Sequence, residues 1–514
     1  MAARSKDVGA TWILSKAKRA PRLRLPLVVT WLVAVLILGV WGLWAGPGWN
    51  PQPMTNLVIP TTSSTHITSA VPTPYLETYE VQESVHEVEG PNGQTIKVTL
   101  REPVGVDGQR PGVVFLHGTG TSTHQAFTQQ AHWLASAGIV TAVPDKLLDE
   151  YTTLSRNYEE LAEGYHIVGD WLREQASVYQ RDVGYYGESE GALVAPISVV
   201  RDQRTAFLIL VSDPVMPIRD QGALAADAYL RELDAPGQIY NAIPRLISGA
   251  LADGNFLYAN FDPSPYHRQI TVPVLMAYGT NDLSMPIVQG PIMMAEDLSE
   301  AGNSDLILRY YDGADHGLRI DGELQPVAYQ DISDFINGLP SSVQMSNEVA
   351  GAQPRQDYVA QTVATPRWFG SGDAMITLLA AGVLLTVVGA TMTIVGRTPI
   401  LGHQQTYRGV GRPIVASSIV VILTWVAFLV YIVALANLAL SYETNRWVVQ
   451  GGWLLVQILA LGAVYLLVRA MRIWRTKPMF TREAGANLRV LFTGQILLLF
   501  ALAYWGVYPS LFSV

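Results

Sequence analysis

Residues Val183–Leu193 read VGYYGESEGAL, an apolar run that leads into a serine flanked by glycines. The part before the serine has the composition of a buried strand, and the part from Glu190 onward has the pattern of a helix. A strand that runs directly into a helix forces a tight turn, and Gly187 and Gly191 permit the close backbone approaches of such a turn. Ser189 would then lie exposed at the carboxyl end of the strand. The same letters also fit a serine that only caps a helix, so the surrounding chain must distinguish the two.

The composition indicates that part of the chain lies in a membrane. Of 514 residues, 49% are hydrophobic and 15% are charged, which is too apolar for an ordinary soluble domain. Five uncharged runs are about as long as the ~20 residues that cross a bilayer as a helix, and they cover residues 27–45, 374–395, 413–440, 451–468 and 490–508. We expect the first run to be an uncleaved anchor. A cleaved signal peptide is the alternative, but the run is long for one and lacks a small-residue cleavage site.

The Lys and Arg residues predict the orientation of these spans. Seven of them, with the single acid Asp7, precede the first run, and the segments 396–412 and 469–489 hold three and six. The remaining short loop, 441–450, holds one. Basic loops stay in the cytoplasm. We therefore expect a multi-pass cell-membrane protein with a cytoplasmic N-terminus and an extracytoplasmic middle segment.

The middle segment is strongly acidic. Residues 25–372 contain 17 Lys and Arg against 39 Asp and Glu, a net charge of −22. Such a surface repels phosphate backbones, so we expect no nucleic-acid partner. The chain has no cysteine, which excludes disulfides, a thiol nucleophile and thiolate metal ligands. We expect neither a metal nor a cofactor.

Composition changes along the chain predict its domains. The predicted divisions are a cytoplasmic basic tail (1–26), a transmembrane anchor (27–45), a Pro/Ser/Thr-rich linker (46–74), a globular domain (75–339) with an insert at about 214–270, a second linker (340–372) and a four-helix transmembrane domain (373–514). Within the globular domain, apolar strand patterns alternate with amphipathic helix patterns. This alternation predicts an α/β class with a mostly parallel sheet covered by helices on both faces.

Four predicted strand ends carry reactive groups. HGTG (His117–Gly120) follows one buried strand, and Ser189, Asp282 and His316 follow three others. Because the carboxyl ends of parallel strands meet at one edge of a sheet, we expect these groups to lie close together. A serine hydroxyl needs a base to remove its proton, and the base needs a third group to orient it.

The order Ser, Asp, His predicts the roles of these residues. Ser189 would be the nucleophile, His316 the base and Asp282 the orienting acid. Asp213, at the end of another strand, is the alternative acid, and Asp315 is more simply explained as a solvated loop residue. The backbone N–H groups of Thr119 and Glu190 are the candidate donors to the oxyanion of the tetrahedral intermediate. The list of candidate catalytic residues is therefore Ser189, Asp282 and His316, with Thr119 and Glu190 in the oxyanion hole.

These motifs together resemble the α/β-hydrolases. The segments FDPSPYHRQITVPVLMAYGTNDLSMP (261–286) and YDGADHGL (311–318) resemble the bacterial serine esterase, thioesterase and prolyl-oligopeptidase-like branch, whose nucleophile motif often reads GHSEGG. The resemblance covers about 94–339 and implies an α/β-hydrolase domain with a small cap. The chain departs from that pattern at Glu188, where a histidine is usual, and at Ala192, where a glycine is usual. The substrate class therefore does not follow from the resemblance.

Two features leave alternatives open. An acid in the first helical turn suits the positive end of the helix dipole, which explains Glu190. Glu188 lies on the strand side and is a candidate substrate-selecting residue that would repel an anion or meet a cation. The insert holds several large apolar or aromatic residues that either pack it on the sheet or line an acyl pocket. They are Met216, Tyr229, Tyr240, Phe256, Tyr258, Phe261 and Tyr266.

The sequence thus predicts a membrane-bound serine hydrolase that cleaves an ester or similar acyl bond of a small-molecule, lipid or cell-envelope substrate. A peptidase or an acyltransferase of the same fold is the alternative, and a non-catalytic binding module of a membrane complex is an alternative from another class. The membrane spans would contact lipids, and they could also bind a protein partner.

Overall fold

The structure is a computed structural model that describes residues 25–120, 122–152, 155–251, 257–395, 411–440, 443–476 and 482–509. The described residues form two compact units. One holds 45–376 and 434–450, and the other holds 25–44, 377–433 and 451–509. Most of the predicted basic tail, much of the two basic loops and Phe256 of the insert lie outside the described residues.

Nine strands of the described chain form one sheet, in the order β1-β2-β4-β3-β5-β6-β7-β8-β11. These strands are β1 (Val81–Glu89), β2 (Thr95–Pro103), β3 (Arg110–Leu116), β4 (Val140–Pro144), β5 (Val178–Glu188), β6 (Leu208–Val211), β7 (Val274–Gly279), β8 (Leu306–Tyr311) and β11 (Val349–Gly351). A separate hairpin joins β9 (Arg319–Ile320) and β10 (Glu323–Leu324).

The sheet is mostly parallel, as the sequence predicts. Strands β4, β3, β5, β6, β7, β8 and β11 all pair in parallel, whereas β1 and β2 are antiparallel additions at one edge. The register pairs Leu116 of β3 with Gly187 of β5 and Gly187 with Leu210 of β6. The carboxyl ends of these central strands are therefore level with one another, which places the loops that follow them at one edge.

The helices of the described residues are α1 (Leu25–Ala45), α2 (Thr128–Ser136), α3 (Tyr158–Arg173), α4 (Glu190–Arg201), α5 (Ile218–Glu232), α6 (Ala242–Leu251), α7 (Ser264–His267), α8 (Gln289–Glu300), α9 (Pro326–Gly338), α10 (Ser341–Met345), α11 (Gly372–Val395), α12 (Gly411–Leu440), α13 (Gly452–Thr476) and α14 (Arg482–Tyr504). Helices of the unit that holds the sheet cover it on both faces. Val114 and Leu116 of β3 belong to one core cluster with residues of α3, α4 and α8, whereas Val113 and Phe115 belong to another with residues of α2 and α9. This alternation is the two-residue period of a strand buried on both sides.

The insert between β6 and β7 is helical. It contains α5, α6 and α7. Phe261 packs edge-to-face on Tyr158 of α3 with ring centroids 5.0 Å apart, and the Tyr266 hydroxyl donates to Glu159 of the same helix. These two aromatic residues therefore pack the insert against the sheet layer, which is the first of the two roles that the sequence leaves open.

Both segments predicted as linkers pack against the globular domain. The first is extended, and its Ile67 is 1% exposed in the core on the α9 side. Its Thr61 N–H donates to Val349 O of β11, so this segment covers one edge of the sheet. The second segment itself contains α10 and β11, and β11 pairs with β8. The sheet thus extends beyond residue 339, where the sequence indicates that the domain ends, because a three-residue strand has too little pattern to be read.

Within the described residues, five helices are long and apolar enough to cross a membrane, as the sequence predicts, and they cover Pro26–Ala45, Gly372–Val395, Arg412–Leu438, Trp447–Thr476 and Ala484–Tyr504. Within the second unit, α11 and α14 approach closely. A Cβ atom at Gly389 would lie 2.6 Å from Leu491 Cβ. Gln495 Nε2 also donates to Ser418 Oγ at 2.8 Å. Small residues and interhelical hydrogen bonds are the usual means by which membrane helices associate.

Candidate active site

Ser189 occupies a strained turn between β5 and α4. Its backbone angles are φ 57° and ψ −119°, which lie in a region that residues other than glycine rarely adopt. A Cβ atom at Gly187 would lie 2.6 Å from Gly191 O, and one at Gly191 would collide with Leu116 O. Both glycines are therefore required by close backbone contacts. Ser189 makes no capping hydrogen bond to α4, all of whose residues are described, so the helix-cap interpretation does not account for it.

The structure brings Asp282 and His316 together. Asp282 follows β7 and His316 follows β8, and His316 Nδ1 lies 2.9 Å from Asp282 Oδ2. A carboxylate can only accept, so Nδ1 carries the proton and Nε2 presents its lone pair. Ser284 also donates to Asp282 Oδ1, from its hydroxyl at 2.6 Å and its N–H at 3.1 Å. The Asp282 side chain is fully buried and the His316 side chain is 20% exposed.

Each member of this pair stabilises the charged form of the other. Burial alone would raise the pKa of Asp282, but the charge and hydrogen bond of His316 hold it below its ordinary value. Burial alone would lower the pKa of His316, but the charge and hydrogen bond of Asp282 raise it, with further contributions from Glu188 and Asp315. The arrangement therefore favours an imidazolium, the state that a general base reaches after it takes a proton.

Asp213, the alternative acid, is engaged elsewhere. It follows β6, its side chain is completely buried, and its Oδ1 accepts from the Val215 N–H at 3.0 Å. Burial raises its pKa to about 6, against opposing effects of His267 and the Val215 N–H. The structure thus places Asp282, and not Asp213, on the Nδ1 atom of His316.

The loop that carries His316 reaches the serine turn. Gly317 has a φ of 71°, and a Cβ atom there would lie 3.0 Å from Glu188 Oε1. The Gly317 N–H also donates to Ser212 Oγ at 3.1 Å, and the Ser212 hydroxyl donates to Asp282. The residue after His316 is therefore in contact with the residue before Ser189, which locates both predicted reactive groups at one edge of the sheet.

The turn after β3 lies against the serine. A Cβ atom at Gly118 would be 3.4 Å from Ser189 Cβ and 3.9 Å from Ser189 Oγ. The N–H groups of His117 and Gly120 donate to the hydroxyls of Tyr165 and Tyr151, at 3.3 and 3.0 Å. Thr119 lies between them, and its N–H donates no hydrogen bond to any of the described residues. The N–H of Glu190, in the first turn of α4, has no intrahelical acceptor either.

A buried ionic cluster supports this turn from below. The Lys146 ammonium donates to Gly118 O and to Glu190 Oε2, both at 2.8 Å. Arg156 is also paired with the Glu190 carboxylate, which accepts from the Tyr151 and Tyr158 hydroxyls at 2.7 and 3.0 Å. Burial would raise the pKa of Glu190, but Lys146 and Arg156 hold it below its ordinary value. The helix dipole alone therefore does not account for Glu190, because Lys146 joins its carboxylate to Gly118 in the turn after β3.

Sequence reasoning missed the partners of Glu190. Lys146, Tyr151 and Arg156 follow β4, whose carboxyl end belongs to the same edge of the sheet. A lysine two residues beyond the mostly apolar strand VTAVP is the one signal that could have indicated them, because a charge so close to a buried strand end needs a partner.

The fold is identified by the strand order of the sheet together with the serine turn after β5 and the histidine loop after β8. The domain has the α/β-hydrolase fold. The sequence matches no protein-family model and no curated protein sequence. Among solved structures, it is similar to dienelactone hydrolase from Anabaena variabilis, at 19% identity over 50% of this chain and 98% of that chain, with a TM-score of 0.34.

Two esterases are similar at the same level. Brefeldin A esterase, described as a bacterial homologue of human hormone sensitive lipase, is 18% identical over 63% of this chain and 88% of that chain, with a TM-score of 0.38. An esterase from Pyrobaculum calidifontis is 17% identical over 63% of this chain and 99% of that chain, with a TM-score of 0.38. These α/β-hydrolase likenesses assign no activity to this chain.

Proposed function

We propose that this α/β-hydrolase is a membrane-bound serine hydrolase that cleaves an ester bond through an acyl-enzyme on Ser189. The observation that carries the proposal is the hydrogen bond of 2.9 Å between His316 Nδ1 and Asp282 Oδ2, beside the strained turn that holds Ser189. An oriented imidazole next to a serine on such a turn is the equipment of acyl transfer.

In the first half of the reaction, His316 Nε2 accepts the Ser189 hydroxyl proton while Oγ bonds to the carbonyl carbon of the ester. The carbonyl oxygen becomes an oxyanion and accepts hydrogen bonds from the N–H groups of Thr119 and Glu190. The intermediate then collapses. The bond from carbon to the alcohol oxygen breaks, and the His316 imidazolium gives its proton to the departing alcohol.

In the second half, water attacks the acyl-enzyme carbonyl and His316 takes one of its protons. The same donors hold the second oxyanion. Collapse breaks the bond to Ser189 Oγ, which recovers the proton from His316, and releases the carboxylic acid. An alcohol in place of water would make the same machinery an acyltransferase.

We further propose that the domain lies outside the cytoplasm and acts on a lipid or cell-envelope ester. The distribution of Lys and Arg supports the orientation, because all three basic segments fall on one side of five spans. The domain belongs to the same chain as the five predicted spans, and this membrane location favours acyl esters of the bilayer or envelope as the substrate class.

A fluorophosphonate probe tests the chemistry and the sidedness together. A charged probe that does not cross membranes, applied to intact cells, should label the wild-type chain and the control Ser304→Ala, which changes an exposed serine. It should not label Ser189→Ala. Labelling only after the cells are lysed would reject the extracytoplasmic placement, and no labelling of folded wild-type protein would reject the hydrolase.

A further inference from the structure

Glu188 is a half-buried acid that the proposed reaction does not use. Its Oε2 accepts from the Tyr186 hydroxyl at 2.9 Å, so the carboxylate turns back toward the sheet layer. Its Oε1 lies 3.0 Å from the position that a Cβ atom would occupy at Gly317. The carboxylate therefore contacts the residue next to the base His316.

The groups around Glu188 come from several elements. Tyr186 belongs to β5, and its hydroxyl lies 3.5 Å from that of Tyr329 on α9. Tyr329 in turn is hydrogen-bonded to Gln130 of α2. On the other side, Arg319 of β9 places its Nε 3.7 Å from the same Cβ position at Gly317. Among the described residues, the other charged groups that act on this region are His316, Asp315 and Asp282.

These neighbours determine the charge of the carboxyl group. Burial raises the pKa of Glu188, and the Tyr186 hydrogen bond, the His316 charge and Arg319 oppose that rise. Tyr186 and Arg319 therefore stabilise the ionised form, and a protonated His316 stabilises it further. The negative charge of Glu188 in turn raises the pKa of His316, after the larger effects of burial and Asp282.

We propose that Glu188 is a second carboxylate of this site, a positioning residue that acts through His316. It supports the Gly317 backbone in its left-handed conformation, and its charge stabilises the imidazolium that forms when Ser189 loses its proton. A structural acid would need only the Tyr186 hydrogen bond, whereas this carboxylate also lies against the histidine loop. The inference rests on the proposed function, and it replaces direct substrate selection as the explanation of Glu188.

The substitution Glu188→Gln tests this role because it keeps the size and an acceptor for Tyr186 but removes the charge. The measurement is the second-order rate constant of inactivation of the full-length chain by a fluorophosphonate, as a function of pH. Its acidic limb reports the protonation of His316 in the free enzyme. We expect the midpoint of that limb to move to lower pH by up to about one unit, and the plateau rate to fall by up to roughly tenfold.

Glu87→Gln is the matched control, because it removes an exposed carboxylate of β1, and its profile should coincide with that of the wild type. A Glu188→Gln profile with an unmoved midpoint, whatever its plateau, would overturn the proposal, since a purely structural acid would change the plateau alone.

Tyr186→Phe provides a second test if Glu188→Gln does not fold. It removes the donor that stabilises the ionised carboxylate, so the acidic limb should move in the same direction by a smaller amount, and an unmoved limb would again overturn the proposal. The two proposals fail differently. A wild-type chain that never reacts with the probe rejects the hydrolase, whereas a reactive wild type with an unmoved variant profile rejects only the role of Glu188.

Discussion

Lys146 Nζ lies 2.8 Å from Glu190 Oε2, and each side chain is 1% exposed, although 44 residues separate the two along the chain. Each of these buried ions has lost its hydration, so its stability depends on a close and well-oriented partner of opposite charge. Lys146 also donates to Gly118 O. The pair therefore links the turn after β3, the end of β4 and the first turn of α4.

The first prediction concerns this pair. Glu190→Ala should leave Lys146 and Arg156 buried without their carboxylate and should lower the free energy of unfolding by about 3 to 5 kcal/mol. Denaturant unfolding of the full chain in detergent, followed by tryptophan fluorescence, measures the change. Glu174→Ala removes an exposed carboxylate after α3 and should change stability by less than about 0.5 kcal/mol. Equal stability of the two variants would show that the cluster contributes nothing.

The second prediction compares the two candidate acids. Asp282→Asn should slow fluorophosphonate inactivation by a factor on the order of 10⁴, because an amide at this position favours the wrong tautomer of His316. Asp213→Asn should leave the rate within about threefold of the wild type, a difference worth less than 1 kcal/mol. The reverse ranking would assign the orienting role to Asp213 and contradict the hydrogen bond seen at His316.

The third prediction concerns stability and pH at Asp213. Its folded-state pKa of about 6 lies above the value of 3.8 for an ordinary aspartate. The folded state therefore holds a proton that the unfolded state releases, and stability is lost as the pH rises from about 4 through 6. Asp213→Asn keeps an acceptor for the Val215 N–H and removes the charge. It should stabilise the protein by about 2 to 3 kcal/mol at pH 8 and by much less at pH 4.

Unfolding curves at the two pH values check this prediction. A gain that is the same at pH 4 and pH 8 would mean that the charge of Asp213 is not the cause.

The fourth prediction compares two glycines. Gly191→Ala places a Cβ atom against the Leu116 carbonyl. This carbonyl belongs to the backbone of β3, so it cannot move aside as a flexible side chain could. We expect loss of labelling at Ser189 together with a lowered unfolding temperature. Gly222→Ala, in α5, meets no atom within 4 Å and should raise stability by up to about 1 kcal/mol. Normal labelling of Gly191→Ala would contradict the account of the serine turn.

The elements that could be predicted from the sequence are those with strong local signals. The strands β3 and β7 contain apolar runs, the glycines around Ser189 require a tight turn, and each of the five predicted spans contains a long uncharged run. The meeting of Asp282 and His316 also follows from local information, because each stands just past a buried strand and parallel strands end at one edge.

The features that could not be predicted depend on contacts distant in sequence. The sequence analysis does not predict β1, although VQESVHEVE has the alternation of a half-exposed strand, because its charged residues weaken the apolar pattern. The pairing of Lys146 with Glu190 requires the packing of β4 beside β3. The docking of Ile67 depends on a surface that only the folded domain creates. The sequence singles out Glu188 as a candidate substrate-selecting residue, but the hydrogen bond of its carboxylate to Tyr186 and its closeness to Gly317 cannot be read from the sequence.

The most direct measurement is the mass of the probe-modified peptide. After fluorophosphonate treatment of the purified full chain and proteolysis, the peptide that contains Ser189 should carry the phosphonyl group. Asp282→Asn should reduce that modification on the order of 10⁴-fold in rate, and Ser304→Ala should not change it. Modification of another serine, or of none in folded protein, would contradict the assignment of Ser189 as the nucleophile.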